Sequence, residues 1–237
     1  MTRPLTGIFL DTGNLDTIAR YHALGIVRGV TTNPTILAKD GIAQDWSAIE
    51  RHCTGIARRI DPLPLSVEVT TNDLQGMREQ AQCFDSWAKN VNVKIPIHGP
   101  EGELENLQLV HELEMEHNVR VNVTAMMSAQ QGLLAAMAGA TYVSIFAGRV
   151  NNMGYDARQE VRRLRQLLDA FDSAAKIIAG STREVLKIIE WFEAGADIVT
   201  ALPSLLEGML VHPYSKETVQ QFLKDGARWQ PRKGVTV

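Results

Sequence analysis

A chain of 237 residues, 45% hydrophobic and 22% charged, has the composition of an ordinary globular enzyme and can form one large core. Its 24 basic and 27 acidic residues leave a net charge of −3, which argues against nucleic acid or a membrane surface as a partner. No run approaches the ~18 apolar residues of a membrane span, and the first residues lack a signal core, so we expect a cytoplasmic protein. The two cysteines, Cys53 and Cys83, lack metal-ligand spacing, and we expect reduced thiols, no metal and no cofactor.

Short apolar segments alternate with helical patterns along the whole chain. The predicted strands are 7–10, 27–30, 65–69, 91–96, 119–124, 142–146, 176–179 and 197–200. The predicted helices are 14–23, 45–59, 74–89 (capped at 70–73), 103–117, 128–138, 158–170, 182–194 and 203–211, with an extra one at 215–225 and a polar tail at 227–237. Eight strands that alternate with helices predict an α/β fold, a single (β/α)8 TIM barrel over 1–237 with an additional C-terminal helix and tail at about 215–237.

The alternative fold is an open, doubly wound parallel sheet. Such a sheet usually has a glycine-rich phosphate turn after its first strand. Asp11-Thr12-Gly13 does not match G-x-G-x-x-G, so the sequence favours the barrel.

Lys94 lies in the middle of the apolar strand Val91-Asn92-Val93-Lys94-Ile95-Pro96. Burial disfavours a charged ammonium, and a neutral amine is a nucleophile that condenses with carbonyls to form a Schiff base. The structural alternative is a lysine at a strand end that extends into solvent.

Polar residues recur at the carboxyl ends of the first seven predicted strands, where barrel enzymes place their active sites. They are Asp11, Asn33, Glu68, Lys94, Thr124, Ser144, Arg149, Ser181 and Arg183. Each has a structural explanation when it is taken alone, such as a helix cap for Asp11 or Ser181, a turn for Asn33 or a salt bridge for Glu68. Together around one lysine they indicate a catalytic rim.

The chemistry that suits this set is the activation of a ketone as an imine. Lys94 would attack the ketone, with Glu68 and Thr124 on the flanking strands holding the water that imine formation releases and hydrolysis consumes. Asp11 would take the proton from the hydroxyl group next to the carbon–carbon bond that breaks. Arg149, Arg183 and a serine near the start of the following helix would bind an anion such as a phosphate.

The chain resembles the transaldolase family, in the branch of small enzymes that includes fructose-6-phosphate aldolases. The resemblance covers almost the whole barrel and rests on Leu10–Thr12, Val30–Thr35, Val93–Pro96, Asn122–Ala125, Gln131–Leu134 and Phe146–Arg149. It implies a Schiff base at Lys94, acid–base catalysis by Asp11, and a water held by Glu68 and Thr124. It also implies that Asn33 and Ser144 bind the dihydroxyacetone part of a sugar phosphate donor, and that Arg149, Ser181 and Arg183 bind its phosphate.

Two positions separate the branches of this family. The aldolases carry Gln where this chain has Glu68, and Tyr where it has Phe146, so the resemblance favours transfer to an aldose acceptor over release of free dihydroxyacetone. The loop 151–156 matches no pattern of the ordinary sugar-phosphate enzymes, which leaves an unusual long-chain sugar as a possible product. A barrel that binds sugar phosphates without turnover is the remaining alternative. Family members often assemble as rings through the terminal helix, here 215–225, so we expect a homo-oligomer; the alternative is a terminal helix that caps the barrel.

Overall fold

Parallel strands alternate with helices in the computed structural model, which describes residues 6–42 and 45–229. The strands are β1 (Gly7–Asp11), β2 (Val27–Thr31), β3 (Leu65–Glu68), β4 (Val91–Pro96), β5 (Val121–Met126), β6 (Tyr142–Ile145), β7 (Lys176–Ala179) and β8 (Ile198–Ala201). Each strand pairs in parallel with the next, and β8 pairs with β1, so the sheet closes. The predicted eight-stranded barrel is confirmed.

Eleven helices lie within the described residues. They are α1 (Leu15–Ala23), α2 (Pro34–Lys39), α3 (Trp46–Ile60), α4 (Leu74–Trp87), α5 (Glu105–Met115), α6 (Ala129–Met137), α7 (Ala147–Asn152), α8 (Ala157–Ala170), α9 (Val185–Glu193), α10 (Pro203–Leu210) and α11 (Pro213–Gly226). No helix in this part of the chain is long and apolar enough to cross a membrane.

Two short helices, α2 and α7, were not predicted from the sequence. Helix α2 begins at Pro34, and the Asn33 side chain caps it by accepting a hydrogen bond from the Ile36 amide at 2.9 Å. These are ordinary helix-start signals, but no helix is predicted from the sequence between residues 23 and 45. Helix α7 begins at Ala147, and the preceding residue, Phe146, provides no side-chain cap. Its second residue is Gly148, so the local sequence contains little that predicts a helix.

Most other boundaries agree with the predictions within two residues, and three of the differences bear on the candidate site. β5 begins and ends two residues later than the predicted strand, α9 begins at Val185 and not at 182, and α7 occupies the first two residues of the predicted loop 151–156. The predicted tail beyond Trp229 lies outside the described residues.

The outward faces of the strands pack against the helices in one large core, which includes Leu10, Val93, Val123 and Ile177. The barrel interior is different. Within the described residues, the apolar cluster there consists of Phe9, Tyr142, Ile178 and Ile198. The polar side chains buried in the strands are Thr31, Ser66, Asn92, Lys94, Asn122, Thr124, Ser144 and Thr200. Barrel interiors are usually filled by bulky aliphatic residues, so this polar filling makes the barrel interior a candidate functional site.

Helix α11 packs differently from the others, because none of its residues is buried. Its apolar side chains Val219, Phe222 and Leu223 are 54%, 69% and 69% exposed. This apolar face is available for contact with another molecule.

Candidate active site

A cavity of about 480 Å³ opens at the carboxyl ends of the strands. All ten residues that the sequence proposed for a site line it: Asp11, Asn33, Glu68, Lys94, Thr124, Ser144, Phe146, Arg149, Ser181 and Arg183. They come from seven strands or the segments that follow them, so the barrel brings together side chains up to 172 positions apart in the sequence.

Lys94 is 5% exposed and points into this cavity from β4. Its Nζ lies 2.8 Å from Glu68 Oε2 and donates a hydrogen bond to the Thr32 carbonyl oxygen at 2.9 Å. The pair forms because Glu68 and Lys94 are register partners on adjacent strands. A carboxylate therefore lies where it can accept a proton from the lysine.

Asp11 ends β1 beside the same lysine. Burial raises the pKa of its carboxyl group, against the opposing effects of a hydrogen bond from Thr31 and the positive charges of Lys94 and Arg183. Thr31 Oγ1 donates to Asp11 Oδ1 at 2.7 Å and lies 2.5 Å from Thr200 Oγ1. If Thr31 gives its proton to Asp11, Thr200 must donate to Thr31. The result is an aspartate with a raised pKa and a fixed orientation, which suits proton transfer.

Asn33 and Thr124 both retain hydrogen-bonding capacity toward the cavity. Asn33 uses Oδ1 to cap α2, which leaves its amide N–H groups available. Thr124 Oγ1 is buried and has no hydrogen-bond partner within residues 6–42 and 45–229. A buried hydroxyl without a partner in a polar cavity indicates that a ligand or water completes its bonding.

Ser144 belongs to a hydrogen-bonded chain across three strands. Ser144 Oγ donates to Asn122 Oδ1 at 2.6 Å, and Asn122 Nδ2 donates to Ser66 Oγ at 3.1 Å. Ser144 and Asn122 both line the cavity. This chain fixes two polar groups on the wall opposite Asp11.

The end of the cavity at which the sequence predicts an anion site is formed by α7 and the segment after β7. Ser181 has a left-handed backbone, with φ +58°, which turns the chain between Gly180 and Arg183. Gly148 packs so closely that an added Cβ would lie 1.7 Å from the Ser181 carbonyl oxygen. The Arg149 guanidinium lies over the Phe146 ring, 5.0 Å from its centroid. Two arginines thus share one end of the cleft, although Ser181 and Arg183 precede α9 and do not begin it.

Several cavity residues were missed in the sequence. Thr31, Asn122 and Thr200 line the cavity together with Lys39 on α2. Asn122 lies two residues before Thr124 on one strand, so the alternation of β strands places both on the same face. That signal was present in the sequence, whereas the contact between Thr31 and Thr200 depends on closure of the barrel.

Comparison with known proteins identifies the family. The model of the family described as Transaldolase/Fructose-6-phosphate aldolase matches residues 8–233. The chain belongs to this family. It is 38% identical over 226 residues to Probable transaldolase 2 of Listeria monocytogenes, covering 95% of this chain and 98% of that protein. It is 37% identical over 225 residues to Probable transaldolase of Desulforudis audaxviator, covering 95% and 99%.

Solved structures share the fold of this transaldolase-family protein at low identity. Dihydrodipicolinate synthase from Rhodopseudomonas palustris superposes with a TM-score of 0.61 at 17% identity, over 93% of this chain and 79% of that one. The synthase from Thermotoga maritima gives a TM-score of 0.62 at 14% identity, over 85% and 71%. These likenesses support the barrel, whereas the family assignment makes the chain an enzyme of the transaldolase type.

Proposed function

We propose that this enzyme transfers a dihydroxyacetone unit from a ketose phosphate to an aldose acceptor through an imine at Lys94. The observation that carries the proposal is the 2.8 Å contact between Lys94 Nζ and Glu68 Oε2 in a cavity that also holds Asp11. A nucleophilic amine, a base that can deprotonate it and a second acid–base group are the minimum set for imine-based aldol transfer. The cycle needs no cofactor.

Imine formation begins when Glu68 takes a proton from the Lys94 ammonium. The neutral amine attacks the ketone carbon, the carbonyl oxygen is protonated, and the carbinolamine loses water to give a protonated imine. Thr124, with its buried and unpartnered hydroxyl, and Glu68 are the groups that would hold this water. The same water, or one that replaces it, hydrolyses the imine at the end of the cycle.

Cleavage and transfer use Asp11. Its carboxylate takes the proton of the donor hydroxyl, the adjacent carbon–carbon bond breaks, and the bonding electrons move into the protonated imine to give an enamine. An aldehyde leaves and the acceptor aldehyde replaces it. The enamine carbon attacks the acceptor, and Asp11 returns the proton to the new alkoxide.

Donor binding follows the polarity of the cavity walls. Asn33 and Ser144 would bind the hydroxyl groups of the dihydroxyacetone unit, while Arg149, Ser181 and Arg183 would bind the phosphate. Two guanidinium groups at one end of a concave site are well suited to a phosphate, because each can donate paired hydrogen bonds.

The second candidate is an aldolase that releases free dihydroxyacetone. Glu68 and Phe146 argue against it, because a carboxylate paired with lysine and an apolar ring provide no hydroxyl to direct water at the enamine stage. Product analysis without an acceptor separates the two activities. A transferase keeps the three-carbon unit on the enzyme, whereas an aldolase turns over. Supplying different aldoses then tests whether the acceptor leads to an unusual long-chain sugar.

The deciding experiment traps the imine. We expect borohydride reduction in the presence of fructose 6-phosphate to leave a three-carbon adduct on Lys94, located by peptide mass spectrometry. The Lys94→Met variant is the control and should show no adduct. An adduct with another ketose would change the donor and keep the mechanism. No adduct with any ketose would replace the proposal with a barrel that only binds sugar phosphates.

We also infer that the enzyme is a homo-oligomer assembled through α11. Support comes from the exposed apolar face of Val219, Phe222 and Leu223 on a helix without buried residues. A second copy of the chain would cover a surface that is otherwise unfavourable in water.

A further inference from the structure

Asn92 is a fully buried amide to which the reaction described above gives no role. It lies on β4 two residues before Lys94, so alternation along the strand directs its side chain to the same face, into the barrel interior. Among residues 6–42 and 45–229, neither its Oδ1 nor its Nδ2 has a hydrogen-bond partner. A buried polar group without a hydrogen-bond partner destabilises the fold, so an asparagine at this position indicates a small polar ligand such as water.

Ser66 is the nearest polar group to Asn92 by strand register. It pairs with Asn92 across β3 and β4, and adjacent strands lie about 4.8 Å apart. Ser66 Oγ already accepts a hydrogen bond from Asn122 Nδ2. Its own proton must therefore go to a different acceptor.

The chain of Ser144, Asn122 and Ser66 has two self-consistent proton arrangements. In the observed arrangement Ser144 donates to Asn122, and Asn122 donates to Ser66. Rotation of the Asn122 amide by 180° would reverse both bonds, with Ser66 donating and Ser144 accepting. The observed arrangement is favoured over the reversed one if the Ser66 hydroxyl can donate its proton to an acceptor other than Asn122.

We propose that Asn92 is a positioning residue that supplies this acceptor through a bound water. The water would receive the Ser66 proton and donate to Asn92 Oδ1, which holds the chain in the observed direction. Ser144 then directs a lone pair into the cavity, where it can accept a hydrogen bond from a donor hydroxyl. The inference rests on the proposed function, because it assigns Asn92 to the orientation of the sugar-binding wall.

The test uses Asn92→Leu, which has nearly the same shape and no hydrogen-bonding groups. If Asn92 has only a structural role, its replacement changes the melting temperature and leaves kcat and the KM for fructose 6-phosphate at their wild-type values. The positioning role predicts the same melting temperature with a KM for fructose 6-phosphate about tenfold higher, and a kcat within about twofold of wild type. Wild-type KM in a stable Asn92→Leu protein would overturn the proposal.

Two further variants test whether Asn92 acts through Ser66. Ser66→Ala should raise KM by a similar factor, and the double variant should add little, because both substitutions interrupt one hydrogen-bonded chain. Additive effects would show that the two residues act separately. Asn92→Thr retains a hydroxyl acceptor and a good strand former and should recover most of the wild-type KM; a loss as large as that of Asn92→Leu would overturn the acceptor role. It also provides a test if Asn92→Leu fails to fold.

The structural readout is a crystal structure of the wild-type protein at high resolution. We expect a water within hydrogen-bond distance of Asn92 Oδ1 and Ser66 Oγ, and electron density that excludes it would overturn the inference. Failure of the proposed function is a distinct outcome, because wild-type protein would then form no borohydride adduct on Lys94. If wild type forms the adduct, the variants of Asn92 and the position of the water decide the role of Asn92 separately from the proposed function.

Discussion

The Lys94 ammonium and the Glu68 carboxylate lie 2.8 Å apart on adjacent strands at the mouth of the barrel. The carboxylate offsets the cost of burying the ammonium, and in the proposed reaction it is the base that converts the ammonium into a nucleophile. One contact therefore serves the stability of the resting site and the first step of the proposed reaction.

Glu68→Gln should slow imine formation while preserving the fold. The amide occupies the same volume but cannot accept the ammonium proton, so we expect the rate of adduct formation to fall about 10²- to 10⁴-fold. Rapid mixing with fructose 6-phosphate and borohydride quenching at intervals measures that rate. A wild-type rate would assign the proton transfer to another group.

The activity at low pH should follow Asp11. Its carboxylate must be ionised to take the donor proton, and burial raises its pKa above the ordinary 3.8, so kcat/KM should fall at a higher pH than an ordinary aspartate would give. Thr31→Val removes a hydrogen bond that lowers this pKa, and we expect the acidic limb of the pH profile to move to higher pH. Thr200→Val should shift the limb less and in the same direction. If the acidic limb of the pH profile does not move in Thr31→Val, a residue other than Asp11 controls the activity at low pH.

The unfolding free energy should also depend on the titration of Asp11. Activity requires the ionised carboxylate, whereas stability is favoured by the protonated carboxyl group. Because the folded pKa of Asp11 lies above its unfolded value, folding favours the protonated form. This contribution is fully present below pH 3.8 and is lost as the pH rises through the folded pKa. The Asp11→Asn side chain does not titrate, so this pH-dependent contribution is absent from the variant. Urea titrations should therefore show that the unfolding free energy of Asp11→Asn increases relative to that of wild type as the pH rises. A difference that does not change with pH would contradict the raised pKa.

Arg183→Ala should weaken binding of phosphorylated donors selectively. Loss of a charge-assisted hydrogen bond, at ~1.5–3 kcal/mol, corresponds to an increase in KM of about 10- to 100-fold for fructose 6-phosphate. The KM for an unphosphorylated ketose should not change. Arg162→Ala is the matched control, because Arg162 lies exposed on α8 outside this cavity. An equal loss for both ketoses would place the phosphate elsewhere.

Gly148→Ala should displace the backbone at the end of the cavity that we propose binds the phosphate. The new methyl carbon would lie 1.7 Å from the Ser181 carbonyl oxygen, so either α7 or the segment after β7 must move. We expect a lower melting temperature and a higher KM for the phosphorylated donor. Gly55→Ala is the control, since no atom lies within 4 Å of its added carbon and a helical alanine is favoured by ~0.5–1 kcal/mol. Unchanged binding in Gly148→Ala would show that this close approach does not form the site.

Phe222→Glu should dissociate the oligomer proposed to form through α11. A charge in the centre of an apolar contact is strongly unfavourable, whereas the same residue in an isolated helix is exposed and tolerated. Light scattering coupled to size-exclusion chromatography should show a smaller mass with an unchanged circular dichroism spectrum. Gln221→Glu, one position away on the same helix, should leave the mass unchanged. A monomeric wild-type protein would reject the assembly.

The strands were the most predictable part of the fold. β4 and β7 have the predicted bounds, because a run of apolar residues between turn residues is a strong local signal for a buried strand. Helices α2 and α7 were missed because six residues provide less than two turns of periodicity. The residues of the candidate site could be listed because the barrel fold brings the carboxyl end of every strand to one face.

The sequence by itself determined the alternation of elements, the closed barrel they imply and the polar residues at the strand ends, because these follow from local periodicity and chain order. Only the tertiary structure decided which of those residues meet. Thr31 and Thr200 are 169 positions apart and lie 2.5 Å from each other because β8 returns to β1. Strand register, which local sequence does not fix, likewise pairs Glu68 with Lys94 and places Asn92 beside Ser66.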